Sequence, residues 1–414
     1  MADDCSCTPT VSDLKSYDEA LDLLLGYARV RASTEKLALA HALGRVLAES
    51  VTSRIDVPGW DNSAMDGYAV NSSDLQKCGD SLPVSQRIPA GCAAEPLQPG
   101  TAARIFTGAP VPEGADAVVM QEQCEAQGDR VIINTEVKSG SNIRLAGEDI
   151  GRDQVIIRAG ERLQPQHLGL AASVGVAGLS VYKPLRVAVL ASGDELVMPG
   201  QPLQPGQIYN SNLFTTYGLL QSLGCEVVAT DMVEDTLEAT KAALLQAAER
   251  AVLVLASGGV SVGEEDHVKP AVEALGELNM WKLAIRPGKP VAFGHIGDTP
   301  FIGAPGNPVS LFVTFLLFAR PFILKCMGLN DWRPRFLDMK AGFDWPRPDK
   351  RREFHRARLQ RAQDGGNEVI VYPSRSSAVL SSAVWADGLV MIGESQKIAR
   401  GDTVKYLPFC ELMA

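Results

Sequence analysis

Several common signatures are missing from this 414-residue sequence, and each absence narrows its class. The eight cysteines (Cys5, Cys7, Cys78, Cys92, Cys124, Cys225, Cys326 and Cys410) are scattered and include no Cys-x-x-Cys pair, which argues against a disulfide framework. Cys5 and Cys7, the only close pair, read as reduced thiols on a frayed tail. The five histidines, at 41, 167, 267, 295 and 355, never fall four residues apart, so a His-built zinc site has little support. Long apolar runs are also lacking. The most apolar stretch, Val309 to Met327, carries Arg320 and Pro321. That leaves about eleven uninterrupted apolar residues where a membrane span needs about twenty, so it reads as a buried helix. Met1 to Thr10 lacks the basic and apolar regions of a signal peptide, and a cytoplasmic protein is expected. Positive charge is in deficit: 39 Lys+Arg against 49 Asp+Glu give a net charge of −10. Such a chain is a poor general nucleic-acid binder, although local groups still hold small anions. Tandem repeats, G-x-G-x-x-G and G-x-x-x-x-G-K-[ST] are absent.

What is present is a normal globular composition, 46% hydrophobic, long enough for two to four domains. Periodic apolar residues predict a helix over Tyr17 to Ala48, weakened at Gly44. From Ile55 to Gly147, short β-prone runs alternate with Pro and Gly punctuation. Gln166 to Val174 returns to helix, so residues 1–52 and 148–182 are expected to form a discontinuous linking domain around a β-rich insert, 53–147. Residues 183–329 alternate apolar strands with helices: strands at 186–191, 225–230 and 251–256, helices at 211–223 and 236–250, and a long apolar helix over 307–327. Gly224 is placed just past the end of the first of these helices. This predicts a three-layer α/β domain on a mostly parallel sheet. Short β-like runs over 330–414 predict a small C-terminal β domain.

Ligands of such sheets bind beyond the carboxyl ends of the strands. Two ends stand out, Leu190-Ala191-Ser192-Gly193-Asp194-Glu195 and Ala256-Ser257-Gly258-Gly259-Val260-Ser261. Their small residues let backbone N–H groups approach an anion, and the second loop leads into a helix N-terminus. A pair of tight turns would explain the glycines alone. The acids beside them, Glu195, Asp235 and Asp266, add more. Three carboxylates at one sheet edge repel each other and any phosphate, a conflict that a hard divalent cation resolves. Lys282, Arg286 and Lys289 alternate with apolar residues, Lys282 and Arg286 on one expected strand face. The turn Pro305-Gly306-Asn307-Pro308-Val309-Ser310 could present N–H groups and the Ser310 hydroxyl to an anion. Lys350 to Arg358 is locally basic, the pattern of a solvated face.

The stretches Asp56 to Ala69, Thr107 to Pro112, Asn142-Ile143-Arg144 with Gly147-Glu148-Asp149, Ser192 to Leu196, Ser257 to Gly263, Lys282 to Pro290 and Pro305 to Ser310 occur in one order. Together they resemble the MoeA family of molybdopterin molybdenumtransferases, which includes the E domain of gephyrin. The resemblance runs from about residue 15 to the C-terminus. It implies four domains per chain, a central domain similar to the molybdopterin adenylyltransferases, and an elongated homodimer. The implied reaction takes molybdopterin-AMP and molybdate, cleaves the phosphoanhydride with Mg²⁺ or another divalent cation, and releases AMP. The attacking group is a molybdate oxygen or a water. Carried over residue by residue, Asp66, Thr107, Glu195, Asp235 and Asp266 match catalytic positions, the last three also holding the metal. Arg144, Asp149, Ser192, Gly193, Gly258, Gly259, Ser261 and Lys282 match substrate-binding positions, as do Arg286, Lys289, Pro305, Asn307, Pro308, Ser310 and Arg351. Arg286 stands where the family often has Lys, and Trp60 where it often has Phe. The implied site lies where the insert of one subunit meets the α/β domain of the other. Transient contact with the adenylyltransferase and with molybdoenzymes is the expected partnership, without nucleic acid or membrane. Two rivals are an adenylyltransferase that makes the intermediate and a non-catalytic scaffold of the gephyrin type. The β-rich insert and C-terminal domain weigh against the first, the retained acids against the second.

Overall fold

The computed structural model describes residues 14–234, 236–258, 267–288, 290–363 and 365–413. Asp235, Gly259, Ser261, Asp266 and Lys289, with Cys5 and Cys7, lie outside the described residues. At the centre is a six-stranded sheet in the order Glu226–Val233, Arg186–Ser192, Leu253–Ser257, Thr299–Ala304, Pro290–Ile296, Gly276–Lys282. The first four strands are parallel, and Pro290–Ile296 runs against both its neighbours. Strand residues alternate faces, and here both faces are covered. Val187 and Val189 join a core with Leu220, Phe318 and Phe322, whereas Ala188 and Leu190 join another with Leu244, Val254 and Val272. That is why Arg186–Ser192 is a continuous apolar run and not an alternating one.

The long apolar helix is Pro308–Cys326, and it is 94% buried inside the fold. It is wound in three pieces: α over Pro308–Thr314, π over Phe315–Ala319 and α over Arg320–Cys326. Pro321 lacks an N–H and its ring would clash with the carbonyl four residues back, and the wider π turn directly before it relieves both. The Arg320 N–H accordingly bonds back five residues to the Phe315 carbonyl. Phe318 and Phe322 are 1% and 0% exposed, so truncating either to Ala should cost about 3–5 kcal/mol.

The N-terminal segment departs from its expected helix over Tyr17 to Ala48. The helix ends at Tyr27, and Thr34–Ala38 is a strand paired antiparallel with Gly178–Tyr182. A partner 140 residues away overrides the local helical pattern. The helix Tyr17–Tyr27 is fixed by a capping box between Ser16 and Glu19. It packs on both the central and the C-terminal domains, with Tyr17 edge-on to Phe318 of the first at 5.5 Å and to Phe354 of the second at 5.2 Å. Val51–Thr52 pairs with Val155–Ile157, so the chain leaves this region and returns to it. Between them lies a second six-stranded sheet, from Gly67–Val70 to Arg130–Ile133.

The C-terminal residues form a small barrel. Arg352–Arg361, Asn367–Val371, Leu337–Ala341, Thr403–Pro408 and Gly388–Ile392 pair in sequence, and the last pairs back to the first. The short strand Ile285–Arg286 adds to this barrel, parallel to Arg352–Arg361. The basic run is therefore no solvated face. Arg356 is 1% exposed and donates to Ser382 Oγ and to the carbonyls of Ser374 and Ser376. Arg352 pairs with Asp18 and Glu394.

Candidate active site

The parallel strands end at one edge, and their loops meet there. Leu196 N–H closes a tight turn on the Gly193 carbonyl. The exposed Glu195 carboxylate lies against Gly193, 2.5 Å from where a Cβ would stand. Gly258, at φ +85°, lies against the Ser192 carbonyl, 3.1 Å from its own would-be Cβ. A side chain there would be strained both by the left-handed backbone and by that approach. Gly258 N–H reaches the Ala304 carbonyl at 3.3 Å, and Asn212 Nδ2 donates to the Gly306 carbonyl at 2.7 Å. Ser192, Glu195, Gly258 and the turn Pro305–Ser310 are thus brought to one edge. Asn307 and Pro308 start the long helix, with Pro308 in its first turn, where a missing N–H costs nothing. Ser310 is buried in that turn.

Four buried polar atoms near this edge have no protein partner among the described residues: Asn210 Nδ2, Asn212 Oδ1, Thr216 Oγ1 and Ser257 Oγ. Such atoms are rare in folded interiors and mark places where water or ligand completes the bonding. Thr216 and Ser257 line a small cavity of about 20 Å³, enough for one water.

The cations sit differently from expectation. Lys282 ends the outer strand Gly276–Lys282 on this same edge. Arg286 does not share its strand face, because the chain changes sheets at Leu283–Ala284 and Ile285–Arg286 joins the barrel. Gly288, at φ +95°, then packs on Thr314 of the long helix. The sheet change brings Arg286 to Arg351. Asp349 lies between them, with Oδ2 2.9 Å from Arg286 Nε and Oδ1 3.2 Å from Arg351 Nε. Arg351 N–H also donates to Oδ1 at 2.9 Å. Burial opposes the Asp349 charge, but the Arg351 hydrogen bonds and the two guanidiniums outweigh it and hold the carboxyl below its ordinary range.

In the insert, Asp66 and Thr107 are in direct contact. Thr107 N–H and its hydroxyl both donate to Asp66 Oδ1 at 2.8 Å, lowering the carboxyl from its usual value. Arg104 donates to the Gly67 carbonyl and to Gln121 Oε1, and Gln121 N–H donates to the Asp66 carbonyl. Arg144 pairs with Asn62 on an adjoining ribbon, and Asp149 N–H bonds to the Val57 carbonyl. Both side chains are exposed. The hydrogen bonds that hold Asp66 and Thr107 all come from the insert itself.

Of the expected metal ligands only Glu195 is described, and no group of three acidic, His or Cys side chains converges among the described residues. Sequence reasoning missed Asp349, Asn210 and Asn212. Asn210-Ser211-Asn212 before an apolar helix signals a cap, and Asn210 does cap Leu213 N–H at 3.1 Å. Asp349 had no signal, because its second partner, Arg286, comes from another domain.

Three family descriptions match the chain: "MoeA N-terminal region (domain I and II)" over residues 15–175, "Probable molybdopterin binding domain" over 188–325 and "MoeA C-terminal region (domain IV)" over 338–409. The chain is 40% identical over 402 residues to the molybdopterin molybdenumtransferase of Haemophilus influenzae, covering 96% of this chain and 99% of that one. It is 40% identical over 369 residues to molybdopterin molybdenumtransferase 2 of Mycobacterium tuberculosis, covering 86% and 90%. A crystal structure of the molybdopterin biosynthesis MoeA protein of Pyrococcus horikoshii superposes with a TM-score of 0.82 at 29% identity, covering 95% and 100%.

Proposed function

The chain belongs to the MoeA family of molybdopterin molybdenumtransferases, and from that premise we propose that it inserts molybdenum from molybdate into adenylylated molybdopterin. The phosphoanhydride is cleaved and AMP is released. One observation carries the reading: Arg286 of the central domain and Arg351 of the barrel meet at the strand-end edge through Asp349. A pair of forked cations beside a loop rich in backbone donors suits tetrahedral oxyanions.

The residues divide the work by charge. The strand-end loops at Ser192–Gly193 and Gly258, with the Pro305–Ser310 turn, cradle the phosphate-bearing substrate by backbone N–H groups and small side chains. Lys282, Arg286, Lys289 and Arg351 hold molybdate and the pterin phosphate. Glu195 offers exposed carboxylate oxygens, the hard donors a divalent cation takes, so a Mg²⁺ site with Asp235 and Asp266 fits its chemistry. Bound there, the cation would neutralise phosphate charge. Asp66, held in its carboxylate form by Thr107, is suited to align the attacking group, worth ~10²–10⁴ in rate.

The same reading makes the protein a cytoplasmic homodimer in which Asp66 and Thr107 of one subunit, with Arg144 and Asp149, complete the site of the other. Support comes from the exposed apolar residues Ile208, Tyr209, Phe214 and Tyr217, crowded into one segment of the central domain. Transient handover from an adenylyltransferase and to molybdoenzymes follows from consuming one bound intermediate and making another. An adenylyltransferase built on a lone α/β domain would need neither the insert nor the barrel that supplies Arg351. Incubation with adenylylated molybdopterin, Mg²⁺ and molybdate should release AMP. Absence of release, or release unchanged in the combined Asp66→Ala, Glu195→Ala and Asp266→Ala variant, refutes the assignment.

A further inference from the structure

Asp349 belongs to none of the matched motifs, yet among the described residues it is the carboxylate that pairs with both Arg286 and Arg351. Its side chain is 17% exposed, that of Arg351 20% and that of Arg286 43%. The acid is thus the covered member and the Arg286 guanidinium the open one. The contacts with Asp349 use one edge of each guanidinium: Nε of Arg286 in an ion pair, and Nε with Nη2 of Arg351 by hydrogen bonds, the latter at 3.4 Å. A forked guanidinium held by its Nε edge still presents its terminal N–H groups on the other side. The backbone supports the same arrangement. Arg286 lies opposite Glu353 in a parallel strand pair, and Arg351 precedes that strand, so the two cations flank one inter-domain seam. Asp349 itself is fixed, accepting from Arg351 N–H by its side chain and from Ser395 N–H at 2.7 Å by its carbonyl.

Resting on the oxyanion site assigned above, we propose that Asp349 is the positioning residue of that site. It clamps Arg286 and Arg351 from behind across the seam, so that their outer edges form a preformed fork for a tetrahedral dianion. Asp349 touches neither the reacting atoms nor the anion. It acts by fixing where two cations from different domains stand, and this spares the anion the ordering of two long side chains on binding.

The experiment is a titration of the full-length dimer with molybdate alone, with sulfate in parallel, comparing wild type, Asp349→Asn and Asp349→Glu. Asp349→Asn keeps the size and the acceptor for Arg351 N–H but removes the charge that holds the guanidiniums. Its molybdate dissociation constant should rise on the order of tenfold, the scale of one lost charge-assisted hydrogen bond. The KM for molybdate in AMP release should rise in step while kcat at saturating molybdate stays near wild type. Asp349→Glu, with charge retained, should recover some of the affinity. Unchanged affinity in Asp349→Asn overturns the proposal. Tighter binding also overturns it, since it makes Asp349 a competitor for the anion. A fall in kcat at unchanged KM would point to a general structural role and overturns it equally. Failure of the wild type to release AMP would instead refute the assigned reaction, and the affinity comparison would still be read on the binding titration.

Discussion

Gly288→Ala offers a quantitative test of how the cation turn is held. Gly288 has φ +95°, and an added Cβ would stand 2.6 Å from Thr314 Cγ2. An L-residue in the left-handed region costs roughly 1–2 kcal/mol. The contact adds an overpacking cost of about 1–3 kcal/mol, because the neighbour is pinned. Thr314 is 3% exposed, and its Oγ1 donates to the Ser310 carbonyl at 2.7 Å, so swinging the methyl aside would sacrifice a buried hydrogen bond. Gly288→Ala should therefore lose about 2–5 kcal/mol in urea unfolding of the central domain, the sum of those two ranges. Thr314→Ser separates the two contributions. It removes Cγ2 and keeps the hydroxyl, so in the Gly288→Ala background it should restore the steric share and leave the backbone share. On its own it should cost about 1 kcal/mol for the small cavity. Because Arg286 is two residues away, Gly288→Ala should also raise the KM for molybdate, and the double variant should reverse much of that. A loss below ~0.5 kcal/mol, the range of indifferent surface changes, would refute the packing account. So would additive single and double variants, since touching groups must couple.

Further outcomes concern titration. His355 is buried in the barrel, with Nε2 2.8 Å from the Tyr372 carbonyl, and burial first of all lowers its pKa to about 4. Between about 4 and the unfolded value near 6.5 the unfolded chain binds the extra proton, so stability is complete above 6.5 and is lost as pH falls. About 3 kcal/mol should vanish across that window, and His355→Phe should flatten the slope of unfolding free energy against pH. In Asp66 the Thr107 N–H lowers the carboxyl most and the hydroxyl next, so the carboxylate persists to lower pH than an ordinary aspartate. Thr107→Val keeps the first bond and removes the second. The Asp66 carbon-13 carboxyl titration should then move upward, towards but not reaching the ordinary range, and an unmoved titration would discount the hydroxyl.

Much of the central domain was legible because its signals are local. Arg186–Ser192 is a continuous apolar run, and Gly224 does sit at φ +81° just past the helix Ser211–Ser222. The loops at Ser192–Glu195 and Pro305–Ser310 likewise lie at the strand ends where their small residues placed them. The errors arose where distant chain decided. The segment Thr34–Ala38 has helical spacing but is a strand because Gly178–Tyr182 pairs with it. Lys282 and Arg286 have strand spacing but diverge because the barrel captures Ile285–Arg286 as an added strand. Arg356 reads as one more surface cation, yet the loop carbonyls of Ser374 and Ser376 pull it inside. In each case the deciding partner is far along the chain.

The net charge of −10 gains a physical meaning from that sheet change. Two like charges brought to one partly covered seam repel each other more than they would in bulk water. A carboxylate between them offsets the repulsion and sets their spacing, as Asp349 does for Arg286 and Arg351. The cluster therefore carries net charge of only +1 before substrate arrives. That charge still attracts an oxyanion, and the fixed spacing of the two guanidiniums spares the anion the ordering of two long side chains. Within an acidic chain, the acids near the anion site thus act with the cations and not against them. Asp349 sets the spacing of Arg286 and Arg351, and the exposed Glu195 carboxylate stands at the strand-end edge of the same domain.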